Sequence, residues 1–167
     1  MNKNTSEEQI VIGIVFDQSY LIYDVGIPMG NIYSILYYNK KAKFIYGGIP
    51  RLVDHVEQYA QSLKIPKENL VKLDISAQGD SKFIISKANE SKWFLELLQY
   101  KPDKIFVFRD NSHSNGTTML CQYAQRMLIP VVEYNNKGNC RQITINTPDS
   151  VNNIYTPQYG RVSNYDF

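Results

Sequence analysis

The chain has little of what most site chemistries need. In 167 residues there are two cysteines, two histidines and one tryptophan. Cys121 and Cys140 form no C-x-x-C pair, and two cysteines cannot build a disulfide framework. His55 and His113 have no Cys/His cluster around them, so no metal is expected. Long apolar runs are also missing: none approaches the roughly 20 residues of a membrane span. The polar, acid-bearing stretch Met1 to Glu8 lacks the apolar region of a signal peptide, and a cytoplasmic protein without a membrane partner is expected. Eighteen Lys and Arg against 16 Asp and Glu leave a formal charge of +2, too small to argue for nucleic acid. The densest basic group, Lys40, Lys41 and Lys43, reads as a solvated face. G-x-G-x-x-G, G-x-x-x-x-G-K-[ST] and G-x-S-x-G are all absent, which removes the standard dinucleotide fingerprint, the P-loop and the nucleophile elbow.

What is present in excess is tyrosine, 13 residues. A Tyr-rich surface suits base stacking or packing between subunits, so a homo-oligomer is expected. The length fits one domain with a proper core.

Along the chain, residues 1–8 read as a flexible lead-in, 9–146 as the domain, and 147–167 as a Tyr- and Asn-rich tail. The tail's Tyr155, Tyr159 and Tyr165 are candidates to wrap a partner subunit or a ligand. Ile10 to Phe16 is a nearly continuous β-rich run, the mark of a strand buried on both faces. Tyr20 to Met29 is ambiguous, a hairpin extension or a lid, with Gly26, Pro28 and Gly30 breaking regularity. Asn31 to Tyr38 reads as a short helix, and Lys43 to Tyr46 as a strand running into Gly47-Gly48. Arg51 to Lys64 has an apolar stripe at helical spacing, Leu52, Val53, Val56, Ala60 and Leu63. Leu70 to Leu73 is a short strand, 76–82 a loop, and 86–99 a helix with Trp93, Phe94, Leu97 and Leu98 inward. Lys104 to Phe108 is the central strand. The amphipathic segment Met119 to Leu128 follows, then the strand 129–134 and an edge strand over 142–145. This β-α alternation, with connections long enough for right-handed crossovers, predicts an α/β fold: a Rossmann-like three-layer sandwich with a mainly parallel sheet.

The polar loop after the central strand, Arg109 to Thr118, is the best ligand-site candidate. Gly116 permits close backbone approach, and the following amides open a helix whose N-terminus favours anions. Arg109 offers charge there. Asp110, Ser112, Ser114, Thr117 and Thr118 offer hydrogen-bonding groups. His113 is either a ligand contact, an acid or base, or neither. Asp17 lies just past the carboxyl end of the first strand, where open α/β sheets bind ligands, or it caps a turn. Gly47-Gly48 fits close ligand approach or a tight strand–helix turn, and Arg51 pairs with a phosphate or is solvated. His55 reads as a helix-surface residue and Cys121 as a small core residue.

The order of a Gly-Gly loop, a helix and a later Ser114-Asn115-Gly116-Thr117 loop between two strands resembles the SLOG superfamily. Its members are Rossmann-like, and include LOG-type phosphoribohydrolases, DprA-like DNA-binding proteins and nucleotide-ligand sensors of bacterial immunity. The match runs from about Ile10 to Tyr134, best over Tyr46 to Asp54, Lys87-Ala88-Asn89-Glu90 and Phe106 to Val132. The resemblance implies that amides at Gly47, Gly48, Gly116 and Thr117 hold phosphate. Ser114, Thr118 and Asn89 would bond ribose or phosphate, Arg51 or Arg109 would supply charge, and Tyr20 or Tyr46 would stack on the base.

Three positions depart from the family pattern. Ala88 stands where an Arg is usual, Leu52 where a small residue is usual, and Leu120 where the hydrolases carry their catalytic Glu. With no acid at 120, no residue is assigned a catalytic role. The expected function is non-catalytic sensing or sequestration of a nucleotide-derived small molecule, a cyclic nucleotide or an ADP-ribose derivative, without a cofactor. Sequestration is a strategy open to a phage protein facing nucleotide-signalled host defence. The alternative is a hydrolase of an N-glycosidic or phosphate bond using Asp17, Asp110 or His113. A DprA-like DNA-binding module is disfavoured by the weak charge and the lack of a basic stripe.

Overall fold

Alternating apolar segments fix the architecture before any loop is considered. In the computed structural model, which describes residues 8–75, 93–110 and 115–143, each β-rich run becomes a strand of one sheet. The strands are β1 (Val11–Phe16), β2 (Lys43–Gly48), β3 (Leu70–Lys72), β4 (Lys104–Phe108), β5 (Val131–Tyr134) and β6 (Cys140–Gln142). The helices are α1 (Gly26–Tyr38), α2 (Pro50–Ser62), α3 with its described residues at 93–99, and α4 (Asn115–Arg126). Strand order is β3-β2-β1-β4-β5-β6. The first five strands pair parallel and β6 runs antiparallel to β5.

Successive strand residues point to opposite faces, and the two cores divide on that period. Ile12, Ile14 and Phe16 of β1, Phe44 and Tyr46 of β2, Phe106 and Phe108 of β4 and Tyr134 of β5 pack with α1 and α2. Val15, Ile45, Ile105, Val107 and Val131 pack with α3 and α4. This is the three-layer, mainly parallel sandwich that the alternation predicts.

Several local readings change. α1 begins at Gly26, five residues ahead of the expected start. Pro28 falls in the first turn, where its missing N–H has no intrahelical acceptor to lose, so the apparent breaker is compatible with the helix. The edge strand lies at Cys140–Gln142, with Ile143 N still donating to Val131 O at 2.8 Å. Residues 17–25 form no strand. Their loop is tied down instead, with Asn136 Nδ2 donating to Leu21 O. His55 is half-buried, with both ring nitrogens enclosed and without a hydrogen-bond partner among the described residues, and its ring stacks near Tyr59 with centroids 6.0 Å apart. Cys121 is likewise half-buried. The lead-in before residue 8, the 76–82 loop, the first turns of the 86–99 helix and the tail lie outside the described residues.

Candidate functional site

Strand order reverses between β1 and β4: β2 and β3 extend one way from β1, while β5 and β6 extend the other way from β4. In open α/β sheets the crevice at the carboxyl ends of two such strands is the ligand-binding position. Asp17 follows β1 there and Arg109 follows β4. The alternation turns both toward the α4 side, since Phe16 and Phe108 face α1.

Asp17 is 3% exposed and Thr117, in the first turn of α4, is 1% exposed. Thr117 Oγ1 donates to Asp17 Oδ1 at 2.5 Å. Asp17 Oδ2 accepts from Ser19 N at 3.0 Å, and Ser19 Oγ accepts from Asp110 N at 3.0 Å. Asp17 N donates to Phe108 O at 2.9 Å. One carboxylate thus caps its own turn and joins the ends of β1, β4 and α4. The turn-capping reading of Asp17 is realised in this geometry.

Arg109 is committed to Glu133 of β5. Its Nε and Nη2 both pair with Glu133 Oε2, while Arg141 Nε of β6 donates to Oε1 at 2.9 Å. Glu133 is 2% exposed. Arg109 Nη1 is buried and has no hydrogen-bond partner among the described residues. Beside them, burial pushes the Cys121 thiol up from its ordinary 9.0 to about 11; Arg109 opposes the shift, and Glu133 and Asp17 add to it. That thiol is protonated at neutral pH and is a poor nucleophile.

The double glycine has a packing explanation of its own. Gly48 sits at φ +123°, and a Cβ there would lie 2.1 Å from Phe16 O. A Cβ at Gly47 would lie 2.6 Å from Leu73 O. Neighbouring strand backbone fills the space that a close-approaching ligand was expected to use. Beyond Gly48, α2 opens with Pro50, and Arg51 is exposed. A groove of about 410 Å³ runs past Gly48, Pro50, Asp54, Lys72 and Asp74.

The structure brings together Asp17, Arg109, Asp110 and Thr117, with Gly116 buried in the first turn of α4 and Thr118 half-buried beside it. Gly47, Gly48 and Arg51 lie along the same carboxyl edge toward β2, where Gly48 abuts Phe16. Asn89, Ser112, His113 and Ser114 lie outside the described residues. Tyr20 and Tyr46 are core residues, each 3% exposed, and not open stacking platforms. Tyr20 meets Phe108 edge-on and Tyr46 donates to Glu57 Oε2 at 2.9 Å. Glu133 is the site-edge residue that sequence reasoning missed; an acid inside an apolar strand, VVEY, was the signal. Leu120 is fully buried in the core under α4. Among the described residues no group of three or more His, Cys, Asp or Glu is placed to hold a metal ion, and no helix is long and apolar enough to cross a membrane.

No protein-family model matches the chain, and no curated protein matches it. Among solved structures the fold is similar to a UDP-N-acetylglucosamine 2-epimerase, at 16% identity and a TM-score of 0.46 over 76% of this chain and 33% of that one. It is also similar to the UDP-GlcNAc 2-epimerase from Neisseria meningitidis bound to UDP-GlcNAc, at 19% identity and a TM-score of 0.44 over 75% and 32%. This chain spans about a third of the length of each. The likeness is one of Rossmann-like strand and helix arrangement.

Proposed function

We propose that the chain binds a nucleotide-derived small molecule at the carboxyl edge of β1 and β4 and does not convert it. The observation that carries this reading is the buried Asp17–Thr117 bond at the strand-order reversal, with Ser19 and Asp110 on the same rim. Acids and hydroxyls converge there, a set suited to the hydroxyls of a ribose. The phosphate end would run toward Gly48 and the exposed Arg51 at the start of α2, with Arg109 Nη1 as a second cationic contact.

Both Asp17 oxygens already accept protein hydrogen bonds, which suits positioning better than proton transfer. The family's acidic position is Leu120, sealed in the core, which supports the same conclusion. The SLOG reading rests on the sequence motifs. With it come the finer proposals: a cyclic nucleotide or ADP-ribose derivative as ligand, a cytoplasmic setting, and sensing or sequestration, the latter suiting a phage countermeasure to nucleotide-signalled defence.

The test is a recovery assay. Purified protein is incubated with a panel of cyclic nucleotides and ADP-ribose derivatives, freed of unbound material and heat-denatured, and the released species are identified by mass spectrometry. An intact compound retained by the native chain and lost in Asp17→Asn is the expected result. A shortened product would overturn the non-catalytic reading in favour of a hydrolase, and a panel left wholly unbound would overturn the ligand class.

A further inference from the structure

Segment 20–41 has an uneven distribution of charge and exposure. α1 has no charged residue in its 13 positions, yet Tyr33, Tyr37 and Tyr38 stand 39%, 42% and 56% exposed on it. The preceding loop adds Tyr23 at 76%. A helix facing only water normally carries charge on its outer side, as α2 does with Arg51, Asp54 and Glu57. The outer positions of α1 fall at Gly26, Gly30, Tyr33, Tyr37 and, just past its end, Lys40. Their spacing of four, three, four and three is that of a helix–helix seam. Asp24 is exposed before the helix and Lys40 and Lys41 are exposed after it.

We infer that a second copy of this chain packs on this face, with the two α1 helices antiparallel about a twofold axis between Gly30 and Tyr33. The sequence is self-complementary in that register and in that direction. Tyr33 of one copy lies over Gly30 of the other, Tyr37 over Gly26, and Lys40 over Tyr23. Tyr33 and Tyr37 each meet a glycine, which lets the backbones approach closely, and the Lys40 ammonium meets the Tyr23 ring. The acid of each copy meets the base pair of its mate, since Asp24 falls beside Lys40 and Lys41 across the axis. A parallel pairing would set Tyr on Tyr, Gly on Gly and Lys on Lys.

The rings are also held in advance. Tyr33 stacks on Tyr37 with centroids 5.8 Å apart and meets Tyr59 of α2 edge-on at 5.3 Å, and Lys40 Nζ sits 4.7 Å over the Tyr37 ring. Side chains fixed by their neighbours lose little freedom on association. The opposite face of the sandwich also exposes apolar groups, Leu95, Tyr123, Met127 and Leu128. There Arg126 lies over Tyr123 and polar side chains interrupt the surface, so the α1 face is the better self-match.

The test uses cysteine pairs, with the unaltered chain as control for Cys121 and Cys140. Gly26 admits a side chain, since a Cβ there meets only Asp24 Oδ1 at 3.3 Å. In this register two copies of residue 26 lie about 16 Å apart along the seam, beyond the roughly 7 Å that a disulfide spans. Gly26→Cys alone and Tyr37→Cys alone should therefore stay uncrosslinked under mild oxidation, while their mixture forms a covalent dimer. In sedimentation equilibrium the unaltered chain should be a dimer and Tyr33→Glu/Tyr37→Glu a monomer with unchanged far-UV circular dichroism. A monomeric unaltered chain at high-micromolar concentration would overturn the inference. So would a dimer whose mixed cysteine variants fail to crosslink, or one that is split by Met127→Glu and survives the Tyr33/Tyr37 change.

Discussion

Thr117 reaches across 100 residues of sequence to donate its hydroxyl hydrogen to Asp17 at 2.5 Å, and both partners are buried. The bond links the end of β1 to the start of α4. A hydrogen bond to a buried carboxylate contributes about 2 kcal/mol. Thr117→Val should lower unfolding stability by about that much, as measured by urea denaturation. It should also speed amide exchange in the first turn of α4 relative to α2. An unchanged midpoint would mean that the bond is replaceable and the site not preorganised.

The Arg109–Glu133–Arg141 group separates a buried interaction from an exposed one. Glu133→Ala strands the buried Arg109 guanidinium and should cost about 3–5 kcal/mol. Arg141 is nearly half exposed on its side chain, so Arg141→Ala should cost less than about 1 kcal/mol. Replacing both buried partners, as Arg109→Met with Glu133→Leu, should recover much of the Glu133→Ala loss, because no uncompensated charge stays inside. Chemical denaturation of the four chains checks the ranking.

Gly48→Ala sets packing against ligand contact. A Cβ 2.1 Å from Phe16 O, at φ +123°, has only backbone to displace, and a loss of more than about 3 kcal/mol is expected. Calorimetry would show a large fall in Tm. A chain that keeps its Tm and loses only ligand affinity would return Gly48 to a ligand role.

Alkaline stability follows from groups kept neutral by burial. The folded state holds the Cys121 proton more tightly than the unfolded chain does, about 11 against 9.0. Stability from this thiol is therefore complete below pH 9 and declines up to pH 11. The slope is at most about 1.4 kcal/mol per pH unit for one group. Burial raises the Tyr20 and Tyr46 phenols as well, so their losses begin above their ordinary value of 10.0. Urea midpoints across the alkaline range should fall, Cys121→Ala removing the earliest part of the decline and Tyr20→Phe a later part.

Much of this organisation is readable in the sequence, because strands buried on both faces must be continuously apolar. Val11–Phe16 and Lys104–Phe108 announce themselves, and their order sets the parallel sheet. The start of α1 is hidden because Gly26, Pro28 and Gly30 are breakers in a helix interior but tolerable where the first N–H groups have no partner. The commitment of Arg109 is hidden for another reason. Its partner Glu133 sits on a neighbouring strand, and only the sheet register, Val107 beside Glu133, brings them together. Tyr20 and Tyr46 read as free aromatic surface because composition cannot tell a phenol under a helix from one in water.

β6 runs back along β5, so Ile143 lies at the amino end of the sheet, away from Asp17. A fluorescent reporter inserted directly after Ile143 would be attached at the edge of the sheet opposite Asp17, Asp110 and Thr117.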